Sequence, residues 1–332
     1  KKVNIKKKIL SLEVLRFCAA ILVVFHHYIG YQHGFIGVNI FFMISGFVIM
    51  YGTNENARFF FFRRLIRIIP LYWFLTISFV TILIFFPDII SKSYYDFIFL
   101  IKSLFFIPFE NLGIGPGIGH SPYIFLGWTL NYEVYFYLIF QLAIYISHKY
   151  RGIILIILFM IIHFIINKLN FDNFILKTYS NPIIFQFCYG IVIYYLWSHN
   201  QNKNKLDNFY FPILLILIFF IFYDLKHMLE LENNIRLYYS LISQIIMFVF
   251  IFLLEKIFRN NHFLVFGAIS YPIYLVHPYI KIVMDKNLFL IKYFDNFFYY
   301  IFLLVINFII ALFLNNFFEK KIIKNLNSRL NK

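Results

Sequence analysis

Apolar residues in this chain recur in long runs separated by short polar links. The runs predict ten membrane-spanning helices, at about 9–31, 36–52, 68–87, 124–146, 152–167, 182–198, 209–223, 237–254, 264–284 and 297–318. Their lengths approach the roughly 20 residues that a helix needs to cross a bilayer. The runs lack the polar alternation of transmembrane strands. The predicted fold class is therefore all-α, a polytopic helical membrane protein.

Composition supports a membrane protein and changes the interpretation of the charge. The 332 residues are 62% hydrophobic and only 14% charged, whereas soluble domains carry about 25% charged residues. The net charge of +15 comes from Lys and Arg concentrated in a few short links. That distribution is typical of cytoplasmic loops, so we do not expect nucleic-acid binding.

The basic links predict an orientation. The stretch 97–109 is short and interrupted by Lys102, and we treat it as not spanning. If Lys1–Lys8 are cytoplasmic, the later basic clusters then fall on the same side, as the positive-inside rule requires. These clusters are Arg58/Arg63/Arg64/Arg67, His148–Arg151, Lys203/Lys205, Lys256/Arg259 and Lys320/Lys321/Lys324/Arg329. We therefore expect both termini in the cytoplasm.

We expect one membrane-embedded domain over residues 1–332. The polar links 199–208 and 224–236 are too short to fold alone, so no appended soluble domain is predicted. Residues of about 88–123 form a long external segment that contains a glycine-rich loop at 113–119. The basic N-terminus resembles a signal peptide, but no small-residue cleavage site follows its apolar run, which indicates an uncleaved first helix.

The first predicted helix carries an arginine and a histidine on one face. Arg16 and His27 are separated by eleven residues, which returns to nearly the same angle about 16 Å further along the axis. A charge in hydrocarbon is costly, so Arg16 either holds an anionic partner or extends to lipid headgroups. His27 is either a proton acceptor or an interfacial residue. His26 points about 100° away, which indicates a structural role.

Two further segments carry small or basic residues. The run Gly37–Phe47 includes Ser45 and Gly46, and small residues within a span allow helices to approach closely. Arg63, Arg64 and Arg67 lie just before Pro70, where we expect the third span to begin. Three guanidinium groups within one turn can bind phosphates, or they can be topogenic charges beside anionic lipid.

The last two segments place polar groups inside predicted spans. Trp128–Tyr137 contains Glu133, whose carboxylate needs a partner or a water-filled cavity there. Ser270, Tyr274 and His277 follow the spacing i, i+4 and i+7 and share a helix face. The remaining histidines lack metal-ligand spacing, so no metal site is predicted.

Together, these five segments resemble the acyltransferase 3 family of integral membrane acyltransferases. The matching motifs are Arg16…His27, Gly37…Phe47, Arg63…Pro70, Trp128…Tyr137 and Ser270…His277, in the order typical of the family. Asn39 departs from the pattern, since many members carry Asp there. The resemblance implies transfer of an acyl group, usually acetyl, from cytoplasmic acyl-CoA to a hydroxyl of a surface or lipid-linked carbohydrate such as O-antigen, capsule or exopolysaccharide.

The resemblance also implies roles for these residues. His27 is expected to act as general base, with Glu133 or His277 orienting it or the acceptor. Arg16 would hold the donor or polarise its thioester carbonyl. The other expected substrate-binding residues are Arg63, Arg64 and Arg67, which would contact the CoA phosphates, and Ser45, Trp128, Tyr274 and His277.

Two alternatives remain open at this point. Acyl transfer can be direct, or it can pass through an acyl-enzyme on Ser45, Tyr274 or His27. The rival function is a transporter, either an exporter of carbohydrate or a carrier of the acyl donor for a separate transferase. Embedded ionisable residues would serve a transporter as well.

Overall fold

The computed structural model describes residues 9–55, 57–87, 94–110, 122–201, 235–258, 260–286 and 296–330. Within these ranges the chain is helical and contains no strand, which confirms the predicted all-α class. Several predictions lie outside the described residues. They concern the span at 209–223, the glycine-rich loop at 113–119 and the basic residues at 1–8, 203, 205 and 259.

Twelve α-helices occur in the described ranges. They are α1 (Leu10–Ile29), α2 (Phe35–Thr53), α3 (Phe60–Phe85), α4 (Phe97–Leu104), α5 (Gly127–Ile146), α6 (Arg151–Leu169), α7 (Phe174–Tyr179), α8 (Phe185–Gln201), α9 (Ile235–Phe248), α10 (Leu264–Lys286), α11 (Asn296–Leu314) and α12 (Lys324–Leu330). Short 3₁₀ turns occupy Gln32–Gly34, Pro182–Ile184 and Asn261–Phe263. Wider π-helical segments extend α9 over Val249–Leu253 and α11 over Asn315–Ile323.

Five of the described helical segments are long and apolar enough to cross a membrane. They are Leu10–Ile29, Gln32–Thr53, Phe60–Phe85, Arg151–Leu169 and Phe297–Leu330. Helix α4 has 8 residues, which gives a length of about 12 Å and cannot cross a bilayer core of about 30 Å. This agrees with the expectation that 97–109 does not span. The count of ten spans and their orientation stay predictions.

Helix α3 begins earlier than the sequence predicted. It starts at Phe60, so the arginine cluster is helical and Pro70 lies inside the helix instead of at its beginning. The physical reason is packing against α5, since the Phe60 ring lies 6.0 Å from that of Tyr137 and 5.1 Å from that of Phe140. Burial of this ring offsets the roughly 3 kcal/mol cost of a proline inside a helix.

Glycines bring α2 against its neighbours. A Cβ on Gly46 would collide with the backbone oxygen of Phe187 on α8, and a Cβ on Gly190 would collide with that of Met43 on α2. On the other side, a Cβ on Gly37 would collide with the backbone oxygen of Ala19 on α1. The expectation of close helix approach in this segment is confirmed, and it fixes the position of α2 between α1 and α8.

Substitution of Gly190 by alanine should destabilise the protein. The added methyl group has no space against the Met43 backbone, so we expect a loss of about 1–3 kcal/mol in the free energy of unfolding. Thermal unfolding in detergent measures the change. Gly52→Ala is the control, because a Cβ there would meet its nearest neighbour, Arg64 Nη2, at an ordinary 3.5 Å. Equal losses for both variants would contradict the close approach of α2 and α8.

Candidate active site

A cavity opens among α1, α2, α3, α5 and α10. Its empty volume is about 750 Å³, including the space at its mouth. The side chains that line it divide into two groups along its length. One group carries the charges Arg16, Arg64, Arg67 and Glu133, and the other is mainly apolar, with Val38, Phe41, Phe42, Leu130 and Tyr274. The cavity therefore has a charged end and an apolar end.

The charged end holds more positive than negative groups. Three arginines from two helices line it with a single carboxylate. Arg16 is only 9% exposed, and its Nη1 lies 3.2 Å from Oε2 of Glu13, one turn away on α1. Burial of a charge requires a compensating partner, and Glu13 supplies one for Arg16. The positive excess that remains suits an anionic ligand.

Glu133 connects α5 to α2 at this end. Ser45 donates a hydrogen bond to Glu133 Oε1 at 3.0 Å, and the Tyr137 hydroxyl donates to the same oxygen. These bonds hold the carboxylate in one orientation among the arginines. Glu133 is thus a fixed negative charge of the cavity and does not hydrogen-bond to His27.

Between Arg16 and His27, helix α1 packs against α2, whose Val38 and Phe41 line the apolar end of the cavity. Helix α1 ends at Gly30, whose φ of 72° lies in the left-handed region that favours glycine. The chain then turns at Gln32–Gly34, and α2 returns along α1, so that Gly37 lies against Ala19 and Val23. His27 is one helical turn beyond Val23.

His27 forms a hydrogen-bonded pair with His277 of α10. Nδ1 of His27 lies 2.9 Å from the Val23 carbonyl oxygen and 3.0 Å from His277 Nε2. Nδ1 of His277 lies 3.2 Å from the Ile273 carbonyl oxygen. Because a carbonyl only accepts, we assign hydrogens to both Nδ1 atoms. The single Nδ1–H of His27 is then shared between the Val23 carbonyl oxygen and Nε2 of a neutral His277. A neutral His27 therefore keeps a free lone pair on Nε2.

Lys281 forms hydrogen bonds to the C-terminal end of α1, and the sequence analysis did not predict this role. Its Nζ donates to the carbonyl oxygens of His27 at 2.7 Å and Tyr28 at 3.0 Å. These carbonyls belong to the last turn of the helix, where a cation is favourable. The sequence feature that could have identified this residue is a lysine inside an apolar helix, one turn after His277.

The structure groups the predicted site residues unevenly. Arg16, Ser45, Arg64, Arg67, Glu133 and Tyr274 line one cavity, whereas His27 and His277 lie beyond its apolar end. Arg63 and Trp128 are not among the cavity-lining residues. Trp128 instead packs on Phe35 and Tyr132, with ring centroids 6.1 and 5.9 Å away. Thr129 and Tyr271 line the cavity without having been predicted.

The ionisable groups in the described ranges do not form a metal centre. No group of three or more His, Cys, Asp or Glu residues there could hold a metal ion. The described side chains place a cavity with excess positive charge near a pair of histidines.

Comparison with known proteins identifies a relative and a family. Exopolysaccharide production protein ExoZ of Rhizobium meliloti (strain 1021) is 29% identical over 178 residues, which are 52% of this chain and 53% of ExoZ. The match thus spans about half the length of that curated relative. No solved structure matches the chain significantly. A family profile described as Acyltransferase domain matches residues 9–316, and the protein therefore belongs to the acyltransferase 3 family.

Proposed function

We propose that this protein transfers an acetyl group from cytoplasmic acetyl-CoA to a hydroxyl of a surface or lipid-linked carbohydrate at the outer side of the bacterial inner membrane. The proposal rests on the order in which a charged region, an apolar region and a histidine follow one another. A cavity with excess positive charge continues into an apolar end lined by Tyr274. His277, one helical turn beyond Tyr274, hydrogen-bonds to His27, whose Nε2 keeps a free lone pair. An anionic thioester and a proton acceptor are the reactants that such an arrangement suits.

The charged end suits the phosphates of CoA. Arg64 and Arg67 are both on the first turns of α3, and planar guanidinium groups bind phosphate oxygens bidentately. The apolar end suits the pantetheine arm and the acyl group. Arg16 is about 16 Å from His27 along α1, which is too far to polarise a carbonyl attacked beside His27. We therefore assign Arg16 to donor binding.

His27 is assigned as the general base. The acceptor hydroxyl gives its proton to His27 Nε2 while its oxygen bonds to the thioester carbonyl carbon. The carbon–sulfur bond then breaks, and the leaving thiolate takes the proton from the imidazolium. Hydrogen bonds to His277 and the Val23 carbonyl support this role because they orient the ring and direct Nε2 away from the helix backbone.

The proposed sidedness follows from the distribution of basic residues. With the N-terminus in the cytoplasm, the arginine end of the cavity faces the donor compartment and the histidine pair faces outward. An exopolysaccharide-related relative favours an extracellular polysaccharide as the acceptor.

The decisive experiment asks whether the protein alone makes an ester. Purified protein is incubated with radiolabelled acetyl-CoA and alkali-deacetylated surface polysaccharide from the same cells, and ester-linked acetyl is measured by NMR and by label. Transfer of label to the polysaccharide supports the enzyme. A transporter of carbohydrate or acyl donor would form no ester under these conditions, and that result would overturn the proposal.

We propose direct transfer without an acyl-enzyme. Tyr274 lines the apolar end of the cavity, and its ring centroid lies 6.3 Å from that of His277, which hydrogen-bonds to His27. At this short separation the acceptor needs no protein carrier to reach the acyl group. Protein incubated with radiolabelled acetyl-CoA without acceptor, then denatured and separated from free label, should carry no bound acetyl. Stoichiometric label on Ser45, Tyr274 or His27, located by mass spectrometry, would establish the covalent route instead.

A further inference from the structure

Tyr274 lies between the cavity and the histidine pair. It lines the cavity from α10, and its ring contacts Phe41 of α2 with centroids 5.4 Å apart. On the other side its ring centroid is 6.3 Å from that of His277. Its hydroxyl lies 2.9 Å from Thr129 Oγ1 on α5. The Tyr274 side chain thus extends from α10 across the apolar end of the cavity and hydrogen-bonds to α5. We call this contact the Tyr274–Thr129 bridge.

Hydrogen-bond directions show how the bridge is held. Thr129 Oγ1 donates to the Leu126 carbonyl oxygen of its own helix at 2.9 Å, so Tyr274 is the donor to Thr129. The Tyr274 hydroxyl also lies 3.4 Å from the same carbonyl oxygen, a longer contact. The Tyr274 hydroxyl is therefore held mainly by one neutral hydrogen bond, and its ring contacts Phe41 and His277. Such a bond contributes modestly to stability, which permits the ring to move.

The bridge separates the donor from the base. His27 is not among the residues that line the cavity, whereas Tyr274 is. His27 is half-buried and its side of the bridge is partly open to solvent, while Tyr274 is only 5% exposed. With the ring in this position, a thioester in the cavity is shielded from any water that reaches His27.

We propose that the Tyr274–Thr129 bridge determines whether the acyl thioester reacts with a carbohydrate hydroxyl or with water. The inference rests on the proposed function, and it makes Tyr274 a positioning residue. The bridge stays closed over the bound donor and opens when the carbohydrate occupies the space beside His27. Water is excluded because His27 would activate it as readily as it activates a sugar hydroxyl.

The side reaction that the bridge suppresses is hydrolysis. Water gives a proton to His27 Nε2, and its oxygen bonds to the thioester carbonyl carbon. The carbon–sulfur bond breaks, and the thiolate takes the proton from the imidazolium. The products are acetic acid and free CoA, so every turnover releases one thiol without forming an ester.

Thiol release from acetyl-CoA without carbohydrate measures this reaction directly. Thr129→Val and Tyr274→Phe keep their shapes but remove the hydrogen bond. Each purified variant should release thiol about fivefold faster than the wild type at saturating acetyl-CoA, the factor expected for the loss of one neutral hydrogen bond. The double variant should show no further increase, because both changes remove the same bond. Thr129→Ser, which retains a hydroxyl, should restore slow hydrolysis.

Tyr279→Phe is the matched control. Tyr279 is on the same helix and donates to the Leu75 carbonyl oxygen at 3.2 Å, but it does not line the cavity. Its removal should leave thiol release unchanged. If the bridge were purely structural, its loss in the two variants would lower ester formation and thiol release together. Unchanged or slower hydrolysis in both bridge variants would overturn the inference. Absence of ester formation by the wild type would instead refute the proposed function.

Discussion

Replacement of His27 by alanine should reduce the kcat for ester formation by about 10²- to 10⁴-fold, the range that a positioned general base contributes. The ring is held by His277 and Val23 with Nε2 free, and alanine removes the imidazole to which we assign the proton of the acceptor. The affinity for CoA should stay within a factor of about two, because His27 lies outside the cavity lining. Steady-state rates with deacetylated polysaccharide and calorimetric titration with CoA provide the two measurements.

His26→Ala is the control for this prediction. His26 is the adjacent residue and its ring contacts that of His27 edge-on, with centroids 4.9 Å apart, but its Nδ1 lies 2.8 Å from the Tyr31 carbonyl oxygen and does not hydrogen-bond to the His27–His277 pair. Loss of this ring should change the rate little. If the His27 variant, purified in a folded state, retained full esterification, His27 would have no part in the chemistry.

Replacement of Arg64 and Arg67 together by glutamine should weaken CoA binding by about 10²-fold or more. Both side chains line the charged end of the cavity, and charge-assisted hydrogen bonds contribute about 1.5–3 kcal/mol each. Isothermal titration of the purified protein with CoA measures the dissociation constant. Dephosphorylated pantetheine should bind both proteins equally, because it lacks the groups that the arginines contact.

The alternative that these arginines serve only to orient the protein in the membrane requires a control variant that loses the same number of positive charges. Arg58→Gln with Arg63→Gln removes two positive charges from the same region, and neither residue lines the cavity. We expect this variant to bind CoA as the wild type does. If both double variants lost affinity or membrane insertion equally, the cluster would act through its charge and not through contacts with the donor.

Helical periodicity was sufficient to predict much of this protein. The residues that share one face of a helix are close in sequence. The shared faces within α1 and within α10, and the close approach at Gly46, therefore followed from spacing and side-chain size. Long apolar runs likewise predicted helices, because a bilayer requires backbone groups to bond within each segment. These features were accessible without any knowledge of how the helices pack.

Contacts between helices could not be obtained in this way. Spacing left Glu133 and His277 as equal partners for His27, and only packing of α1 on α10 joined two histidines separated by 250 residues. Tertiary packing likewise placed Arg16 of α1 and Arg64 and Arg67 of α3 around one cavity, while Arg63 is outside its lining. The early start of α3, the hydrogen bonds from Lys281 and the Tyr274–Thr129 bridge also depend on neighbouring helices. Periodicity specifies the residues on each face, whereas the faces that meet are selected by side-chain volume and buried polar pairing across the whole chain.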